Sequence, residues 1–456
     1  LIMDMHSLKK KIAVSALLSA LTFAPFAQTK PAYEMTVNGI KVIVQPSGNE
    51  IVEVITVIKG GVQNYPAEKA GIESLAINAL TECGTKKDSK NSFKDKLDKI
   101  SAEIGGTAGM DYSSITINCI NSDLEQAWPL YVDAITSPLF DSTEFERMKQ
   151  DAINGLKSQS SKPDFAISKF SRQTAFKGKE YAKTPTGEVE AVSSMNAIET
   201  KAYYSSILTR SRMLIVVVAE LDRASIERKI KELTQNIPQG NEVKLSRYNY
   251  MPSQNTFAAQ KKAVATNYIQ GITSGPQPGS ADFNAFTIAM DIFYDRHFLE
   301  IRTNNGLSYA PQTAFSGGLT PYTIFRVSTT NPDKYIEVMD PLLTKTHSQG
   351  FTPDEVKNSK TGYVTKFYYR METNAAQAAS LAANEVLFND WRRSLRINED
   401  FKKVSNEEVN KAFNKYVREV TWVYQGDTSK VNPALYINSP ANSKLPESRI
   451  KNDVKN

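Results

Sequence analysis

The chain contains three histidines, His6, His297 and His347, so imidazole chemistry has few places to occur. His297-Phe298-Leu299-Glu300 copies the first four positions of the inverted zinc motif H-x-x-E-H. Ile301 stands where the second imidazole belongs. Zinc on a helix needs two imidazoles one turn apart on the same face, so His297 is expected to pack or to lie at the surface. The two cysteines, Cys83 and Cys119, are too few for a disulfide scaffold and read as separate buried thiols. A glycine-rich run, Gly105-Gly106-Thr107-Ala108-Gly109, suits ordinary turn chemistry.

These residues must be held by elements that recur about every 210 residues. Phe140-Asp141-Ser142-Thr143-Glu144 returns as Phe351-Thr352-Pro353-Asp354-Glu355, and both carry the spacing of a capping box. Pro353 sits at the first helical position, where its missing N–H costs nothing. Lys201-Ala202-Tyr203 after Asn196 returns as Lys411-Ala412-Phe413 after Asn406. Each is followed by an apolar strand (213–218, then 421–424) and an acidic turn at Asp222 or Asp427. Two strands, 35–37 and 40–44, flank Asn38-Gly39, a strong hairpin signal. Residues 51–58 and 115–120 read as further strands, and 71–80 as a buried helix. The pattern predicts an α+β fold, two homologous mixed domains in tandem.

Composition places limits on function. Of the net charge of +6, Lys9, Lys10 and Lys11 against Asp4 supply +2 before residue 28. The remaining +4 is dispersed among acids, which argues against nucleic-acid binding. The basic triplet, the apolar run 12–23 and the small residues Ala24 and Ala27 read as a signal peptide over 1–27, hence export to the periplasm or beyond. No later run is long enough to span a bilayer.

The stretch Ala70 to Thr85 resembles the zinc helix of the insulinase/pitrilysin peptidases, in which H-x-x-E-H is followed by Gly-Thr. Gly84-Thr85 remains, and Gly60-Gly61 upstream also fits. Counted back from Gly84, the histidine positions hold Leu75 and Ala79, and the catalytic Glu is Asn78. The third ligand, a Glu in the family, would fall near Asn154-Gly155. None of these side chains can hold zinc or serve as a carboxylate base, so no metal and no cofactor is expected in this chain. The resemblance runs from about residue 33 to 428. With the signal peptide at 1–27 and the polar, Gly- and Pro-bearing linker at 238–260, it implies a first insulinase-like domain at 28–237, a second at 261–440 and a polar tail at 441–456, the domains closing as a clamshell.

In the second half, Phe298-Leu299-Glu300-Ile301-Arg302 with Gly306-Leu307 and Tyr309 resembles the Arg/Tyr element of these peptidases. The resemblance implies that Arg302 and Tyr309 hold and polarise a substrate carbonyl, where fixed donors lower the barrier to hydrolysis. It also implies that Gly105, Gly106, Thr107 and Ala108 form an edge strand that binds substrate by β-pairing, with 271–279 as the companion loop. Some family members divide zinc and the Arg/Tyr pair between two chains. The expectation is therefore a zinc-free subunit acting in peptide hydrolysis beside a homologous zinc-bearing partner. The alternative is a structural or peptide-binding protein of the same fold.

Overall fold

The computed structural model describes residues 30–438. The expected signal peptide and the tail 441–456 lie outside the described residues.

The first sheet contains β1 (Tyr33–Val37), β2 (Ile40–Pro46), β3 (Ile51–Lys59), β4 (Glu103–Ala108), β5 (Tyr112–Ile120) and β6 (Met213–Ala219). Its order is β1-β2-β6-β3-β5-β4. Val37 pairs with Ile40 across Asn38-Gly39, whose φ angles of 50° and 79° make the two-residue turn that fits strand twist. The second sheet contains β7 (Thr256–Lys261), β8 (Asn267–Ser274), β9 (Gln312–Ser316), β10 (Tyr322–Thr329) and β11 (Thr421–Gly426), ordered β7-β11-β8-β10-β9. Strand for strand this repeats β2-β6-β3-β5-β4, down to the parallel outer pairs β2–β6 and β7–β11. The α+β reading used twice is the fold observed. One boundary shifts: β7 begins at Thr256, inside the stretch read as linker, because an exposed edge strand of mixed polarity lacks clean alternation.

The caps differ in detail between the halves. Thr352 and Glu355 form the full reciprocal box. Asp141 accepts from the N–H groups of Thr143 and Glu144, while the Glu144 carboxylate turns to Arg147 instead.

Each half sends a helix to the other's sheet. The helix Asn374–Phe388 lies on β3 and β6, where Ala378, Leu381, Ala382 and Val386 meet Ile55, Val57, Leu214, Val216 and Val218. The helix Pro163–Ala175 lies on β8 and β11, and Ser171 accepts a 2.6 Å bond from Gln270. This exchange explains the unbroken apolar run of β6, a central strand covered on both faces. Lys41 Nζ to Glu385, 2.6 Å, and Trp391 Nε1 to Glu34, 2.5 Å, tie the halves at the rim.

Candidate functional site

The helix Ile72–Glu82 carries the degenerate motif. Leu75 (2% exposed) and Ala79 (0%) face the core, whereas Asn78 is exposed and Ser74 partly so. The i, i+4 pair that looks outward is thus Ser74 and Asn78, one residue before the pair found by counting from Gly84. Asn154 and Gly155 are exposed on the neighbouring helix Ser142–Ser160. Neither register offers an imidazole, thiolate or carboxylate, so the donor set does not fit zinc. Among the described residues no three His, Cys, Asp or Glu side chains gather as a metal site.

A carboxylate network occupies the start of this helix, and the sequence reading passed over it. Glu73 is fully buried and accepts from Ser113 Oγ, Tyr203 Oη and, at 3.0 Å, Asn64 Nδ2. Asn64 Oδ1 in turn accepts from Arg212 at 2.6 Å. Burial pushes the Glu73 carboxyl above its usual range, and these donors pull it back. An acid within the buried run 70–80 was the available signal; its partners lie far along the chain.

His297 is buried, Nδ1 3.0 Å from Thr313 Oγ1 and Nε2 3.3 Å from Tyr335 Oη. Desolvation lowers its pKa to about 3. It is a packed, neutral imidazole. Both cysteines are buried and free, with thiols pushed up by burial to about 12 for Cys83 and about 11 for Cys119.

Arg302 and Tyr309 are brought together. The helix Asp282–Phe298 continues as a wider π-turn, Leu299–Asn304, anchored by buried Ile301. Leu307 N returns to Ile301 O at 2.8 Å, and Gly306 takes φ 60° at the bend. The guanidinium carbon of Arg302 then stands 4.1 Å over the Tyr309 ring and 5.0 Å from the Phe298 ring centroid. Tyr309 is 79% exposed.

Gly105, Gly106, Thr107 and Ala108 lie in β4, the edge of the first sheet, with one side paired to β5 and the other open. Gly106 has a packing reason: a Cβ there would meet Ile77 Cγ2 at 2.3 Å and Ser114 O at 2.9 Å. The companion-loop reading of 271–279 needs correction. Gly271 sits in the interior strand β8 against the Trp422 ring, so only the residues after Ser274 form a loop. Among the described residues no hydrogen bond, ion pair or ring contact joins the Arg302–Tyr309 group to β4 or the degenerate helix.

A family model described as the insulinase family of peptidases, M16, matches residues 41–188, and one described as the M16 inactive domain matches 194–363. The chain belongs to the insulinase family. It is similar to the mitochondrial-processing peptidase subunit beta of Dictyostelium discoideum, 16% identical over 200 residues. That match covers 44% of this chain and 43% of the relative, so the chain spans less than half of that protein. In fold it is similar to a peptidase M16 inactive domain from Pseudomonas fluorescens, with TM-score 0.79, 16% identity, and 89% and 100% of the two chains covered. A protease from Helicobacter pylori gives TM-score 0.77 at 16% identity over 87% and 100%. The periplasmic protease PqqL from Escherichia coli gives 0.74 at 14% over 90% of this chain and 48% of that one.

Proposed function

We propose that this chain is the zinc-free subunit of a two-chain peptidase, supplying Arg302 and Tyr309 to a homologous chain that bears zinc. The observation that carries the reading is the contact of these two side chains at an exposed turn, in a chain whose motif helix Ile72–Glu82 has no side chain that can hold metal. The inactive-domain match and a relative that is itself a peptidase subunit support it.

A zinc ion held by the partner chain would supply the Lewis-acid chemistry that activates water; the role of this chain is to hold the substrate. Arg302 donates N–H groups and Tyr309 its O–H to the scissile carbonyl, holding the oxygen as negative charge builds on it. The open side of β4, at Gly105–Ala108, offers backbone pairing to an extended peptide. Substrates are unfolded peptides, and the site of action is the periplasm or beyond. The basic and apolar N-terminus and the periplasmic fold neighbour support export. Among the described residues no helix is long and apolar enough to cross a membrane.

The test is a quenched-peptide assay with the purified chain alone and with a zinc-bearing homologue. The expected result is no cleavage alone and cleavage on mixing, reduced about 100-fold by Arg302→Ala and less by Tyr309→Phe. Stoichiometric zinc with cleavage by the chain alone overturns the reading. A complex that forms but stays silent assigns the chain to scaffolding or peptide binding.

A further inference from the structure

Four side chains form a continuous strip along the end of the helix Asp282–Phe298. Tyr294 and Phe298, one turn apart, have ring centroids 6.1 Å apart. Arg302 stands over Phe298 at 5.0 Å and over Tyr309 at 4.1 Å. The strip is open: Tyr294 is 38% exposed, Leu299 beside it 53%, and Tyr309 stands out in solvent. Large apolar side chains collected at one exposed place mark an interaction site more often than single exposed ones do.

Arg302 differs from its neighbour Arg296 in what it does with its donors. Arg296 places its fork on both oxygens of Glu355, at 2.8 and 2.7 Å. Among the described residues no carboxylate or carbonyl takes up the donors of Arg302. The acid two residues away, Glu300, is engaged by Asn304 Nδ2 at 2.9 Å and Asn305 Nδ2 at 3.0 Å. A ring face attracts the guanidinium charge without using up its N–H donors, so contact with Phe298 and Tyr309 leaves those donors for another acceptor. Two parallel N–H donors are matched by the two oxygens of a carboxylate, and only in part by one carbonyl oxygen.

We infer that the strip receives the free C-terminal carboxylate of a peptide, with Arg302 on the carboxylate and the terminal side chain, aromatic or large and apolar, against Phe298 and Tyr294. This rests on the reading of Arg302 and Tyr309 as peptide-binding residues and narrows their substrate class to peptides held at the C-terminus: two of the five Arg302 N–H donors take the terminal carboxylate, and the rest, with the Tyr309 O–H, serve the adjoining carbonyl. An internal Asp or Glu offers the same chemical group, so the test must separate the two sources.

The experiment measures fluorescence anisotropy of N-terminally labelled hexapeptides with the chain alone. One peptide ends in Phe with a free carboxylate, the second is its C-terminal amide, and the third is that amide with an internal Glu. The free acid is expected to bind about tenfold tighter than either amide, the effect of one charge-assisted contact. Arg302→Ala removes the difference, and Arg302→Lys, a point charge without the fork, leaves most of it lost. Tyr309→Leu, at an exposed position where folding is not at stake, weakens the acid selectively. Equal binding of acid and amide, or binding of none, overturns the inference. Tight binding of the Glu-bearing amide overturns it too, in favour of an internal acid. Cleavage by the two-chain mixture that ignores amidation removes this inference and leaves the two-subunit reading standing. An acid preference without any cleavage on mixing does the reverse.

Discussion

Glu73 and Tyr203, 130 residues apart, share a hydrogen bond inside the first half of the chain. The bond joins the start of the degenerate helix to the helix Ala197–Ile207, and Ser113 and Asn64 complete the shell around the carboxylate. A buried acid with three donors thus holds the first turn of the helix Ile72–Glu82.

Glu73→Ala should therefore be costly, since it strands three donors in the core. A loss of about 3 kcal/mol is expected from unpaired buried polar groups and the cavity, against about 1 kcal/mol for Tyr203→Phe. Urea titrations followed by circular dichroism measure both. Equal small losses would show that the network does not brace the helix.

His297 makes the fold sensitive to acid. Its folded pKa of about 3 lies below that of an exposed imidazole, so the unfolded chain takes up a proton that the folded chain refuses. Its contribution is present above the unfolded value and is lost as pH falls toward the folded one. Between pH 7 and 5 the loss from this group is about 2 kcal/mol. His297→Gln should be less stable at pH 7 and should lose less on going to pH 5 than the parent. Comparing the two slopes cancels the opposing buried acids Glu53 and Asp111, whose carboxyls burial raises.

Adjacent glycines of β4 should behave differently. Gly106→Ala drives a Cβ into Ile77 and the Ser114 backbone and should cost about 1–3 kcal/mol. Gly105→Ala meets nothing within 4 Å and should stay within about 0.5 kcal/mol of the parent. Thermal melts distinguish them, and Gly105→Ala also leaves the strand edge free for peptide pairing.

The exchanged helices predict a single unfolding transition. A chain ending before Thr256 lacks the helix Asn374–Phe388 and leaves Ile55, Val57, Leu214, Val216 and Val218 of the first sheet bare. It should aggregate or remain unfolded on size-exclusion chromatography. A well-folded monomer of that fragment would refute the interlock.

Features that depend on residue type and short spacing are legible in the amino-acid order. Asn38-Gly39 forced its turn, Thr352 with Glu355 its cap, and the repeated order of elements the doubled α+β plan. The absence of imidazoles on the motif helix was equally plain, because no arrangement of Leu, Ala and Asn creates a zinc donor set. Tertiary structure alone decided the rest. It chose which face of the helix Ile72–Glu82 looks outward, which sheet the helix Asn374–Phe388 covers, and which donors surround Glu73. It also laid Arg302 against Tyr309, a contact that exists only because the loop returns Leu307 to Ile301. Local patterns set the conformation of an element, whereas burial against distant segments sets its orientation and partners, and a linear pattern does not encode which distant surface it will meet.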